Sequence, residues 1–328
     1  MDIRTVLETA RAQQKTIVLP EGLDERILRA ARRLVDEGIA TPILLGEQNA
    51  IETLAKSHNI ALDGVTSINP KTAEQRDSYA QLLASTREKI TESAAERQLR
   101  KELVYGGMMV ASGDADALIA GVSNPTSRVI TAGLLTIGMA KGIRKVSSYF
   151  LMILPEFAGV KNKPLIFADC GVNVEPNADE LADIAIASAA SAENLLGEQA
   201  RVAMLSFSTL GSGKHAVSDK VVEATAIVRS RAPAILVEGE LQLDAALVPD
   251  VASRKVIGDN PVAGQANVLV FPDLNSGNIA YKLTQYLAGA RAYGPLLQGF
   301  AKPISDLSRG ASVDDIVETA AILLATAE

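Results

Sequence analysis

The strongest chemical signal in this 328-residue chain lies near its end, where Ser308-Arg309-Gly310 precedes Ser312 and Asp315. A guanidinium offers a planar fork of N–H donors that suits oxyanions, and a carboxylate can take a proton. The same spacing also has a plain structural meaning. Ser312 can cap a helix over 314–327, with Asp315 as the acid three residues on that capping and the helix dipole favour. Both readings stand at this point. A second group, Gly211-Ser212-Gly213-Lys214-His215-Ala216, matches G-x-G-x-x-A and has Glu238 downstream, which is the outline of a dinucleotide fingerprint. Ser208-Thr209-Leu210 separate it from the preceding apolar run, where the fingerprint needs an immediate turn. Glu238 also continues into a polar stretch, Gly239-Glu240-Leu241-Gln242, and the chain has only two histidines for hydride-coupled proton transfer. A Walker loop fails because Ser208 stands where its first Gly belongs, and no G-x-S-x-G elbow is present.

Along the chain, short apolar runs alternate with amphipathic stretches. Runs at 16–19, 42–45, 117–120, 146–154, 165–168, 202–207, 235–237, 268–271 and 295–297 read as buried strands. Ile27, Leu28, Ala31 and Leu34 share a helical face, and 178–196 and 217–231 are further helical patterns. This rhythm predicts an α/β protein with mostly parallel sheets covered on both faces, in which ligands gather beyond the carboxyl ends of the strands. Breaks near Ile143 and Pro295 place one domain at 1–142 plus 296–328 and a second at 143–295.

Composition removes other classes. Two His (His58, His215) and one Cys (Cys170) argue against a zinc site and leave no intrachain disulfide. Lys plus Arg number 32 against 39 Asp plus Glu, a net charge of −7, and only 4% of residues are aromatic with no Trp. Neither feature favours nucleic acid. No apolar run approaches the roughly 18 residues of a membrane span, and the first residues lack a signal-peptide core, so a cytoplasmic protein is expected.

Val270-Phe271-Pro272-Asp273-Leu274-Asn275-Ser276-Gly277-Asn278, Gly294-Pro295-Leu296-Leu297-Gln298-Gly299 and Asp306-Leu307-Ser308-Arg309-Gly310 together resemble the phosphate acetyl/butyryltransferase family. Leu19-Pro20-Glu21, Phe167-Ala168-Asp169-Cys170, Val202–Ser208 and Gly239-Glu240-Leu241-Gln242 extend the resemblance along essentially the whole chain. It implies two α/β/α domains like those of isocitrate and isopropylmalate dehydrogenases, an active site in the interdomain cleft, and a homodimer. It also implies direct acetyl transfer between coenzyme A and phosphate. Coenzyme A is then a co-substrate, with no permanently bound cofactor and no metal. Carried over by motif, Asp315 is the base for the thiol, Ser308 the hydroxyl beside the reacting groups, and Arg309 the guanidinium on the acyl phosphate. Arg26 and Arg87 are further substrate arginines.

One position departs from the family pattern. In Gly121-Val122-Ser123-Asn124-Pro125-Thr126-Ser127-Arg128-Val129-Ile130-Thr131, Thr131 stands where the family carries a phosphate-facing Arg. If the segment is helical, Arg128 lies one turn earlier on the same face and can reach the same anion. A larger, more neutral pocket also leaves room for propionyl, butyryl or a decorated acyl group, or for a metabolite-binding homologue with weakened catalysis.

Overall fold

The computed structural model describes residues 3–327, which divide into two compact units. One spans Gly142–Gly299; the other joins the chain up to Lys141 with the return from Phe300. The discontinuous unit begins with α1 (Ile3–Gln13), β1 (Thr16–Leu19), α2 (Glu25–Asp36), β2 (Thr41–Leu45), α3 (Gln48–Ser57) and β3 (Thr66–Ile68). It continues through α4 (Arg76–Thr86), α5 (Glu92–Gln98), α6 (Glu102–Ser112), β4 (Ala117–Ala120) and α7 (Thr126–Thr136). The other unit carries β5 (Ser147–Phe157), β6 (Val160–Ala168), α8 (Ala178–Leu196), β7 (Arg201–Leu205), α9 (Ala216–Arg231) and β8 (Leu236–Leu241). It closes with α10 (Leu243–Leu247), α11 (Pro249–Lys255), β9 (Val268–Val270), α12 (Leu274–Leu287) and β10 (Arg291–Gln298). The chain then returns to the discontinuous unit with β11 (Ile304–Asp306) and α13 (Val313–Ala325).

The first sheet has the order β11-β4-β1-β2-β3, and every pairing in it is parallel. Its inner strands, Thr-Ile-Val-Leu and Ala-Leu-Ile-Ala, are unbroken apolar runs because helices cover both faces. Ile17, Val18, Leu19, Ala117 and Ile119 are fully buried, as are Ile27, Leu28 and Leu34 of α2 and Ile316 and Ala320 of α13. The order reverses beside β1, whose neighbours are β2 on one side and β4 on the other. The loops after β1 and β4 therefore flank the switch point where open parallel sheets bind ligands.

The second sheet runs β10-β5-β6-β9-β7-β8, parallel except where β5 pairs with β6 and β10. The β5–β6 hairpin turns on Ala158 and Gly159, both at positive φ (50° and 77°), the geometry that a two-residue turn needs to match strand twist. Residues 296–298, expected with the first domain, are the end of β10. They pair with β5 at Leu296↔Tyr149 through Gln298↔Ser147, so the return to the other unit starts later, at Phe300.

In the fingerprint-like loop after β7, the glycine amides that would cradle a phosphate are bonded within the protein. Glu240 Oε1 accepts the Gly211 N–H (2.7 Å) and the Ser208 hydroxyl (2.7 Å), and Ser208 Oγ accepts the Gly213 N–H (2.9 Å). The N–H groups of Thr209, Leu210 and Ser212 are likewise bonded within the loop or to Glu240. A buried carboxylate holds the turn that an anion would otherwise hold.

Candidate active site

Three adjacent parallel strands deliver the site. β1 leads into Pro20–Asp24, β4 into Gly121–Asn124, and β11 into Leu307–Arg309, all at one carboxyl edge. Glu21, 6% exposed, fixes the loop after β4. Its oxygens accept the backbone N–H groups of Gly121, Val122, Ser123 and Asn124 at 2.8–3.0 Å, together with the Ser123 hydroxyl and the Asn124 amide. Six donors on one carboxylate satisfy a charge that would otherwise be costly to bury.

Asp24 caps α2 and pairs with Arg26 through Nε at 3.0 Å and Nη2 at 2.8 Å. Burial pushes the Asp24 carboxyl up, but the bonds and charge of Arg26 outweigh it and hold the group below its ordinary range. Arg26 also donates to the carbonyls of Arg309 (2.7 Å), Ala311 (3.1 Å) and Val122 (3.2 Å). All five N–H donors of a guanidinium are thereby used. Sequence grouped Arg26 with the substrate arginines; here it braces the 309–311 turn against the loop after β4.

On that turn, Ser308 and Arg309 are exposed. Ser308 Oγ accepts the Gly310 N–H at 3.2 Å, and the Ser308 carbonyl accepts the Ala311 N–H at 2.9 Å. The Arg309 guanidinium has no hydrogen-bond or ion-pair partner among the described residues. Ser312 and Asp315 form the reciprocal capping box of α13: Ser312 Oγ accepts the Asp315 N–H at 3.1 Å, and Asp315 Oδ2 accepts the Ser312 N–H at 2.8 Å. The Ser312 hydroxyl also donates to that oxygen at 2.8 Å. Asp315 is exposed, and its Oδ1 carries no bond among the described residues. One oxygen caps the helix and the other stays open, so capping does not exclude proton transfer.

α7 is a helix over the segment that carries Arg128 and Thr131, so the two lie one turn apart. Thr131 is exposed and its hydroxyl donates back to the Ser127 carbonyl at 2.7 Å. Arg128 is exposed without a side-chain partner among the described residues. Both line a cavity of about 910 Å³ bounded by Glu21, Leu23, Lys101, Leu103 and Leu135.

Arg87 lies elsewhere. Its guanidinium donates to the carbonyls of Leu135 (2.8 Å), Thr136 (3.1 Å), Leu134 (3.4 Å) and Thr86 (3.1 Å), capping the C-terminal end of α7 where a cation is favoured. That end is about 15 Å along the helix from Thr126. The structure therefore ties Arg26 to the turn that carries Ser308 and Arg309 and leads into the cap of Asp315, and it places Arg87 at the far end of α7, bonded to Leu135 of the cavity wall.

Sequence reasoning missed Asp306, which is 1% exposed at the end of β11. The Thr126 hydroxyl donates to its Oδ2 at 2.5 Å, while Oδ1 has no hydrogen-bond partner. Burial raises its pKa to about 6; the Thr126 bond, the adjacent Leu307 N–H and the charge of Arg309 oppose that rise, and the charge of Glu21 adds to it. Among the described residues no cluster of His, Cys, Asp and Glu could hold a metal ion.

The family described as phosphate acetyl/butaryl transferase matches residues 1–324. A phosphate acetyltransferase of Acetivibrio thermocellus is 44% identical over 328 residues, covering 99% of this chain and 98% of its own. One from Thermoanaerobacterium thermosaccharolyticum is 45% identical over 321 residues, 97% of each chain. A solved phosphotransacetylase from Streptococcus pyogenes superposes with a TM-score of 0.91 at 41% identity, covering 99% of this chain and 98% of that one. With a family match over residues 1–324 and relatives that align over nearly their full length, the chain belongs to the phosphate acetyl/butaryl transferase family.

Proposed function

We propose that the chain is a phosphate acyltransferase that moves an acetyl group reversibly between coenzyme A and phosphate. The observation that carries this reading is the turn after β11. It presents an exposed Ser308 hydroxyl, an unpartnered Arg309 fork and the open oxygen of Asp315 on one braced segment. Towards thioester, Asp315 takes the proton of the coenzyme A thiol, because a thiol of pKa about 8.5 is only a few per cent ionised at neutral pH. The thiolate sulfur attacks the carbonyl carbon of acetyl phosphate, the bond from that carbon to the bridging oxygen breaks, and phosphate leaves on that oxygen. Arg309 holds the phosphate charge, which an Arg fork suits better than a Lys point charge. Ser308 donates to the reacting carbonyl. An acyl-enzyme is not needed, and the lone thiol is a poor candidate for one: Cys170 is buried and its pKa is pushed up by burial.

In the same reading Arg128 supplies the second free cation that Thr131 does not, and Arg26 and Arg87 hold loop and helix. Coenzyme A serves as co-substrate, and a cytoplasmic homodimer is the assembly. Mixing the protein with coenzyme A and acetyl phosphate and following thioester absorbance tests the reading. Absence of thioester from every short acyl phosphate defeats it and favours a metabolite-binding role. A wider acyl range has one supporting observation, the neutral Thr131 beside Leu103, Ala132 and Leu135 in the cavity wall. Relative rates with acetyl, propionyl and butyryl phosphate decide that preference.

A further inference from the structure

Asp306 is a buried ionisable group of this unit that the acyl-transfer steps leave unused, and its surroundings are unusual for a carboxylate. Glu21 is buried beside the same strand edge with six donors, whereas Asp306 has a single side-chain donor and one bare oxygen. Burying a carboxyl with so few partners is costly, and a methyl or isopropyl group would fill the space without that cost. The group sits where three segments meet. It ends β11 in register with Ala120 of β4, it accepts from Thr126 at the start of α7, and it lies two residues before Ser308. The fit is close: a Cβ on Gly121 would come within 2.5 Å of Asp306 Oδ1 and of the Leu307 backbone N and O. Gly121 also holds a φ of +127°, so a side chain there is strained as well as crowded. Arg26 ties the far side of the 309–311 turn to Val122, but it does not bond α7. The Thr126–Asp306 bond is a polar side-chain link between β11 and that helix, beside the packing of Ile304 against Gly133.

We propose that Asp306 is a positioning residue, whose bond from the Thr126 hydroxyl sets the Ser308–Arg309 turn against the first turn of α7. The inference rests on the acyl-transfer reading, in which that turn and Arg128 bind the acyl phosphate. The negative charge of Asp306 also attracts the Arg309 guanidinium, which counteracts part of the burial effect on the carboxyl. A rigid acceptor and a charge at one point locate both the backbone and the cation, which an apolar side chain cannot do.

The test compares steady-state kinetics of the wild type, Thr126→Val, Thr126→Ser and Asp306→Asn, varying acetyl phosphate and coenzyme A separately. Thr126→Val keeps the shape and removes the hydroxyl, a bond to a charged acceptor whose loss is expected to raise KM for acetyl phosphate about tenfold or more. KM for coenzyme A is expected to stay within about twofold, and Thr126→Ser to restore most of the loss. Asp306→Asn, which keeps an acceptor but removes the charge, is expected to raise the same KM and to report on the hold of the carboxylate on Arg309, which keeps the positioning role testable if Thr126→Val folds poorly. Unchanged KM for acetyl phosphate in both Thr126→Val and Asp306→Asn overturns the positioning role. So does a fall in kcat with both KM values unchanged, which is how a smaller folded fraction reads. A wild type that makes no thioester overturns the acyl-transfer reading instead, and this proposal with it.

Discussion

Replacing Asp306 by Asn is expected to make the protein progressively more stable, relative to wild type, as pH rises from about 4 to about 7. The carboxyl titrates near 6 in the folded protein against an ordinary value of 3.8, chiefly because it is buried. A folded state with the higher pKa holds its proton more tightly than the unfolded chain does. Below both values the two states are equally protonated and the group has no effect. Between them the unfolded chain loses its proton first, so wild-type stability falls as pH rises, and the fall is complete once the folded carboxyl ionises. Two units at about 1.4 kcal/mol each give a penalty on the order of 3 kcal/mol near neutrality. Asn does not titrate and keeps an acceptor for Thr126, so its free energy relative to wild type carries this term while other groups largely cancel. Urea unfolding of both proteins at several pH values between about 4 and 8 measures the difference directly. A difference that stays flat across that range refutes the reasoning, and so does one that moves against the variant as pH rises. If the gain is seen while KM for acetyl phosphate worsens, the carboxylate costs stability and serves position.

Three further outcomes follow from the site. Asp315→Asn keeps an acceptor for the Ser312 N–H and so preserves the cap, yet kcat is expected to fall about 10²–10⁴-fold; near wild-type turnover leaves Asp315 with capping alone. Arg128→Ala is expected to raise KM for acetyl phosphate and phosphate roughly 10–200-fold, the worth of one charge-assisted contact; unchanged values make Arg128 a solvated surface charge. Arg87→Ala strips four carbonyl bonds from the ends of α7 and α4 and is expected to destabilise by about 1–3 kcal/mol in thermal or urea unfolding. A raised KM with an unchanged unfolding midpoint would instead mean that the guanidinium leaves the helix end to bind substrate.

Much of the fold was legible because it rests on local pattern. The runs at 16–19 and 117–120 are strands buried on both faces, and the periodic face of Ile27, Leu28, Ala31 and Leu34 is the buried face of α2. Ser312 and Asp315 close the capping box that their spacing predicts. What escaped depends on pairing across distance. Nothing local in Pro295–Leu297 says that its partner is β5, and that pairing moves the return to the discontinuous unit to Phe300. In the site, the Ser308-Arg309-Gly310 turn was visible as a motif, but Asp306 and Thr126 lie 180 residues apart and Glu21 about a hundred from the amides it holds. Their one local trace is an acidic residue at or just after the end of a buried apolar strand. That trace sharpens the search for a site without saying which neighbours it serves.

The arginines show why such partners decide chemistry. Sequence groups Arg26, Arg87, Arg128 and Arg309 by type, and type alone makes each of them a candidate for an anion. A guanidinium has five donors, however, and recognises an oxyanion through donors that are still free. Arg26 has spent all five and Arg87 four on acceptors within the protein, so both contribute rigidity and a diffuse positive field. Arg309 and Arg128 keep theirs, on segments that leave the neighbouring strands β11 and β4. In a chain of net charge −7, with Glu21 and Asp306 buried at the same edge, the proposed acyl transfer assigns capture of a phosphate to these two forks. Thr131 leaves no third one beside them. Their relative placement therefore has little slack, and the parts of this edge that never touch an anion bear on how well it is bound.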